Sequence, residues 1–274
     1  MGDVFDSGMR RRSGASGVVA LFMALWASAG AREARAEGPD ARLIASEALS
    51  AERLGFRDGE ATLGMELRDK AGRIVSRKLI ARTASGANGG RKMRMTFLEP
   101  SDQKGIELLV VEARGQETLQ YLWLPRASEL RRIAGGERGG RFQGSDFSFA
   151  DFEGKSLDAA VVEMVGSEKV GGLETWKIAV SPKPGAVGPG GWSRVVAWVA
   201  KDGRVPVKVE FDKGGTVERR LEVKKLQAVE GRLTPTRLVM SDLVAGTRTT
   251  LDILDIQPTK RFPDATFAPE SLGR

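Results

Sequence analysis

Residues 93–97 read Met-Arg-Met-Thr-Phe, and residues 205–211 read Val-Pro-Val-Lys-Val-Glu-Phe. Successive residues of a strand point to opposite faces, so Met93, Met95 and Phe97 share one face and Arg94 and Thr96 take the other. Val205, Val207, Val209 and Phe211 repeat the pattern, with Lys208 and Glu210 opposite. Pro206 lacks an N–H for the ladder and fits only an edge or a bulge. Working outward, further strand candidates are 61–68, 73–82, 105–112, 117–124, 129–133, 161–165, 175–181, 193–201, 218–226, 234–241 and 248–256. Turn chemistry joins them, as in Asp69-Lys70-Ala71-Gly72, Lys201-Asp202-Gly203-Arg204, Asp212-Lys213-Gly214-Gly215 and Glu230-Gly231. Residues 41–54 form the only long stretch with helical character, with Leu43, Ile44, Ala48 and Leu49 near one face and Gly55 as a stop. The expected fold is mainly β: one meandering antiparallel sheet of about a dozen strands that curls.

The inner face of such a sheet has to be hidden from water. Exposed apolar surface costs about 25 cal/mol per Å², and one helix covers only part of the area. Met65, Met93, Met95, Phe97 and Trp198 are assigned to the concave face. Methionine adapts to irregular apolar shapes, so these residues fit two arrangements. In one the face is a filled core in which methionine plugs gaps. In the other it is a hollow that accepts a ligand.

The leader points outside the cytoplasm. Arg10, Arg11 and Arg12 precede an apolar run, residues 18–27, that is shorter than the roughly 20 residues of a bilayer span. Ala27-Ser28-Ala29 and Ala34-Arg35-Ala36 both fit a small-residue cleavage pattern. We therefore divide the chain into a signal peptide, 1–36, with cleavage after Ala29 or Ala36, and one domain, 37–274. The alternative is an uncleaved membrane anchor. No cysteine stands at the exit, so lipid anchoring is excluded, and the expected compartment is the periplasm.

Composition excludes several chemistries. The chain has no His and no Cys. A Ser-His-Asp triad, a Cys nucleophile, a disulfide and an N/S zinc site are all beyond it. The net charge of +7 is scattered, with no basic stripe for nucleic acid.

One constellation stands out. Residues 141–152 read Arg-Phe-Gln-Gly-Ser-Asp-Phe-Ser-Phe-Ala-Asp-Phe, placing Phe142, Phe147, Phe149 and Phe152 together in a chain with few aromatics. Phe149 and Phe152 stand three apart, the spacing of one face of a helical turn. Ser145 or Asp146 is the candidate cap, with Asp151 more exposed. We read an aromatic lid, entered through a flexible Gly135–Gly140 loop, in which Phe147, Phe149 and Phe152 press onto the concave sheet. Asp146 and Asp151 also form a candidate carboxylate pair for acid–base chemistry. Residues 181–191 are rich in Pro and Gly and are expected to be a mobile loop at a cavity mouth, closed by Trp192.

Four blocks together resemble the outer-membrane lipoprotein-sorting, LolA-like family, and within it the branch associated with RND/MMPL-type exporters. They are residues 97–105 (Phe-Leu-Glu-Pro-Ser-Asp-Gln-Lys-Gly), Tyr121-Leu-Trp-Leu-Pro125 with Leu130-Arg-Arg-Ile133, residues 142–151, and Phe267-Ala-Pro-Glu-Ser-Leu272. The resemblance covers about residues 40–272. It implies an incomplete, half-open β-barrel with helical lids over an apolar cavity, and it favours the hollow over the filled core. It implies no cofactor and no enzyme activity. It also implies a lid-locking arginine, for which Arg68 and Arg82 are the candidates.

Three functions follow in order. The first is a monomeric periplasmic carrier of a lipid or the acyl chain of a lipoprotein. It would be loaded by an inner-membrane RND/MMPL-type exporter and unloaded at an outer-membrane acceptor. The ligand-binding residues would be Met65, Met93, Met95, Phe97, Trp198, Phe147, Phe149 and Phe152. The second is a lipid-responsive envelope-sensing module whose output is a protein contact. The third is a carboxylate-based hydrolase.

Overall fold

The computed structural model describes residues 39–48, 58–154, 156–186 and 188–274. The expected leader and residues 49–54 of the expected helix lie outside them. The described residues belong to one unit, Gly38–Arg274. Helix α1 is Ala41–Ala48. The Asp40 carboxylate caps it, accepting the Arg42 and Leu43 N–H groups at 2.8 and 3.2 Å. Ile44, Ala45 and Ala48 are buried, whereas Leu43, one residue round the helix from Ile44, is 49% exposed and leaves the expected apolar face.

Every run marked by alternation is a strand. They are β1 (Gly59–Arg68), β2 (Ile74–Ser85), β3 (Arg91–Glu99), β4 (Glu107–Val111), β5 (Leu119–Leu124), β6 (Glu129–Ile133), β7 (Ala160–Val170), β8 (Leu173–Pro182), β9 (Arg194–Ala200), β10 (Pro206–Lys213), β11 (Thr216–Val229), β12 (Arg232–Asp242) and β13 (Thr247–Gln257). They form one 13-stranded sheet in the order β6-β5-β4-β3-β2-β1-β13-β12-β11-β10-β9-β8-β7. All pairings are antiparallel.

The order corrects the single meander to two. Strands β1–β6 and β7–β13 each run as consecutive hairpins, and pairing of β1 with β13 joins them. The two edges, β6 and β7, are neighbours in sequence but do not pair among the described residues. Their pairing would close a barrel, so the sheet is a barrel left open along one seam. The segment between them, residues 134–159, runs from one edge to the other and supplies the lid.

Pro206 resolves as a bulge inside the sheet. The β9–β10 register slips between Pro206 and Lys208, whose partners are Val199 and Trp198. The extra residue turns Val207 away from the face that holds Val209 and Phe211. Val207 packs instead with Trp198 and Ala200 in a separate outer cluster. The expected run of four inward residues from Val205 to Phe211 is therefore broken by the bulge.

The closing segment covers the outer face of β3–β5. Phe267 and Leu272 pack on Leu109, Tyr121 and Trp123. Arg94, on the outer face of β3, makes a buried ion pair with Glu107 at 2.8 Å and donates to the Thr266 and Ser271 carbonyls at 3.1 Å. Glu107 also accepts the Gly273 N–H at 2.9 Å. These contacts give the C-terminal block a structural role.

Candidate functional site

The lid starts from a reversal of the chain. Gln143 (φ 48°) and Gly144 (φ 74°) both take left-handed backbone, and the turn lets the Phe142 N–H reach the Phe147 carbonyl at 2.7 Å. Asp146 does not cap the following turn. Its carboxylate accepts hydrogen bonds from Thr247 and Thr249 of β13 at 2.5 and 2.7 Å, and pairs with Arg141 at 3.0 Å. The cap is Ser148, whose N–H and Oγ both donate to Asp151 at 2.7 and 2.8 Å. Asp151 is not exposed as expected, because Arg219 of β11 pairs with it at 2.5 Å and both side chains are about nine-tenths buried. The two carboxylates read as a candidate acid–base pair thus each hold the lid to the sheet.

Arginines fasten the rest of the lid. Arg77 of β2 donates to the Gln143 carbonyl and Arg91 of β3 to the Phe152 carbonyl, both at 2.6 Å. Gln120 of β5 donates to the Phe149 carbonyl at 3.0 Å. Burial pulls the Arg77 guanidinium below its ordinary pKa and Asp102 opposes the shift; a guanidinium stays charged at neutral pH regardless. Arg68 and Arg82, the sequence candidates for the lock, make no hydrogen bond or ion pair with the lid among the described residues; Arg82 pairs with Glu60. The Gly135–Gly140 entry is a short 3-10 turn, Gly135–Gly139, tied down by Arg131–Glu137 and Arg138–Glu117 ion pairs.

Phe142, fully buried, is the hub under this lid. Its ring centroid lies 5.6 Å from Phe97, 5.6 Å from Phe149 and 4.9 Å from Phe152. Phe97, Phe142 and Phe149 fill the concave face of the β1–β6 half with Met65, Leu79, Leu108 and Ile133.

The other half is not filled. A cavity of about 720 Å³ lies between the lid, α1 and β7–β13, with Leu63, Met93 and Met95 reaching it from β1 and β3. That volume falls in the range of about 300–1,000 Å³ usual for small-molecule pockets. Its floor includes Val195, Val209, Phe211, Leu221, Leu238 and Met240. Glu47, Asp158, Gly203, Arg204, Gly231 and Arg232 line it and are solvent-exposed, marking a polar rim around an apolar interior. Rim charges pair locally, Arg204 with Glu47 among them.

The residues assigned from sequence divide three ways. Met93, Met95, Phe147 and Phe152 line the cavity. Met65, Phe97 and Phe149 are buried in the filled half and do not reach it. Trp198 faces the opposite side of the sheet. In β9, Val195, Ala197 and Val199 turn inward, so the alternating position of Trp198 is outward. There Lys208 and Lys177 stand over its ring at 4.0 and 4.8 Å. Trp192 lines the cavity and packs 5.5 Å from Phe211, and the Pro/Gly-rich loop contributes Gly188 and Pro182. Sequence reasoning missed Leu63, Leu238, Met240 and Arg219. Each carries the right alternation, but only the strand order brings it to the site.

No helix among the described residues is long and apolar enough to cross a membrane. Several solved structures share the fold. A DUF1329 family protein from Desulfovibrio piger superposes with a TM-score of 0.76 at 23% identity, covering 86% of this chain and 100% of that one. A domain from Vibrio parahaemolyticus, described as an outer membrane lipoprotein-sorting protein, gives 0.74 at 24% identity, covering 85% and 97%. A LolA superfamily protein from Nitrosomonas europaea gives 0.65 at 16% identity, covering 84% and 98%. These likenesses establish a LolA-like fold. No curated protein matches the sequence. A family model described as an uncharacterized protein matches residues 89–274, a span that holds β3–β13, the lid and most of the cavity wall, and the chain belongs to that family.

Proposed function

We propose that the protein is a periplasmic carrier that holds an apolar ligand, a lipid or the acyl chain of a lipoprotein, and passes it between envelope components. The observation that carries this reading is the unfilled apolar volume of about 720 Å³ under a latched lid. Met93, Met95, Phe147 and Phe152 would contact the ligand, joined by Leu63, Leu238 and Met240. Each methylene moved from water into such a site contributes about 0.8 kcal/mol. Roughly ten methylenes then give a gross gain near 8 kcal/mol, of the order of micromolar affinity before ordering costs. The rim leaves a polar headgroup in water. No catalytic step is needed, and the two lid carboxylates have structural partners. An inner-membrane RND/MMPL-type exporter as donor and an outer-membrane acceptor complete the proposal.

Native mass spectrometry of protein purified from an envelope extract tests it. The expected result is a bound species of lipid mass that is released on denaturation. Protein that is consistently free of any lipid, and that fails to take up fatty acid or phospholipid on incubation, would contradict the reading.

A further inference from the structure

Exposed apolar side chains gather at one end of the sheet. Val244 is 73% exposed, the highest value among the large apolar residues described, and its neighbour Leu243 is 44% exposed. Both sit at the tip of the β12–β13 hairpin. The tip has a fixed shape, because the Asp242 carboxylate accepts the Val244 and Ala245 N–H groups at 3.0 and 2.7 Å. The Leu243 N–H is held by the Glu218 carbonyl at 2.8 Å. The β1–β2 turn lies alongside, since a methyl group built on Gly246 would sit 3.8 Å from Lys70 Cβ. That hairpin adds Ile74 and Val75, which are also exposed.

Charges of both signs surround this wedge, and three of the cations are Arg68, Arg248 and Lys70. Pairing of Arg68 with Ile74 and with Arg248, and of Arg248 with Ser241, sets these residues in one row across four strands. The inward positions of Leu67, Thr249 and Met240 put that row on the outer face. Arg68, Arg248 and Lys70 have no ion pair among the described residues. Of the nearby acids, Asp69 is engaged by Arg73, Asp242 by Arg141 and Glu222 by Lys224, whereas Glu66 and Glu218 have no ion pair among the described residues. An apolar tip with three unpaired cations against two unpaired acids matches a surface that is apolar below and anionic above.

We propose that this end of the sheet docks on an anionic membrane surface. Leu243 and Val244 enter the headgroup boundary, and Lys70, Arg68 and Arg248 meet lipid phosphates. The same hairpin holds the lid, through Asp242 to Arg141 and through Thr247 and Thr249 to Asp146. Docking therefore acts on the element that latches the cavity. Membrane docking by this end of the sheet does not depend on what the cavity holds.

Vesicle sedimentation of the purified protein tests it, with phosphatidylcholine vesicles compared with vesicles containing phosphatidylglycerol. The expected result is preferential binding to the anionic vesicles that falls as salt rises. The pair Leu243→Asp and Val244→Asp should weaken that binding at least about tenfold. Arg68→Gln and Arg248→Gln should each weaken it roughly fivefold. Val244→Ser alone, a milder change at an exposed site, should weaken it measurably with unfolding unchanged. Equal binding by the double Asp variant and the parent would overturn the proposal. So would no preference for anionic vesicles, or a dimer in vesicle-free solution that the double Asp variant abolishes.

Discussion

The two halves of this sheet carry the same alternation and meet different fates. In the β1–β6 half, Phe142 descends from the lid onto Phe97 with Phe149 against it, and the concave face is filled except where Leu63, Met93 and Met95 reach the cavity. In the β7–β13 half the lid contributes only the turn carrying Phe147 and Phe152 as a roof, and about 720 Å³ stays open. The difference lies in which phenylalanine the lid sends down, not in the strands beneath. A single segment thus plugs one side of an open barrel and roofs the other.

Truncation should separate the halves most strongly. Phe142→Ala empties a fully buried hub and is expected to cost about 3–5 kcal/mol in denaturant unfolding. Leu238→Ala, already facing open space, should cost clearly less, since it deletes fewer packed contacts. Similar losses at the two sites would break the comparison.

Removing the latch comes next. Arg219→Ala removes a buried ion pair and hydrogen bond from the Asp151 carboxylate, at a cost of about 3 kcal/mol. Hydrogen exchange should rise over residues 148–152 and stay slow in β2–β4. Uniform acceleration would instead make Arg219 a general core residue.

Filling tests the hollow itself. Leu238→Trp should change stability by less than about 1 kcal/mol, because the added ring enters open volume, yet reduce lipid uptake at least tenfold. In the filled half, Ala81→Leu should cost about 1–3 kcal/mol through overpacking. A large penalty at Leu238 would mean that the space is not available.

The smallest effect concerns acid. Burial would raise the Glu60 carboxyl, but hydrogen bonds and charge from Lys260 and Arg82 prevail and hold it below its ordinary value of 4.5. A depressed carboxylate stabilises the fold above its unfolded pKa, and the contribution fades as pH falls through the lowered folded value. Glu60→Gln should therefore remove a stability difference of under about 1 kcal/mol between neutral pH and the region below 4.5. Lipid uptake should not change, because Glu60 is outside the cavity wall.

Much of this was legible in the residues. Alternation marked every strand because each has one face to bury, and the run of four phenylalanines marked the lid. The missing N–H of Pro206 marks an edge or a bulge, but the consequence for Val207 is not legible, since register is a property of two strands. Trp198 belongs to the outer face, because Val195, Ala197 and Val199 hold the inner one and alternation turns it away. Arg219 could not be found from sequence, because it lies 68 residues from Asp151 and only the strand order joins them. The family resemblance favours a hollow, but alternation does not locate it, since Met65 and Met93 share one pattern and only Met93 reaches the cavity.

Trp192 offers the most direct test of the hollow, because it lines the cavity while Trp198 faces away. Titration with a bromine-labelled fatty acid should quench its fluorescence saturably, at one ligand per protein, and Trp192→Phe should abolish that component. Absence of saturable quenching, or quenching that survives in Trp192→Phe, would contradict an apolar ligand seated under the lid.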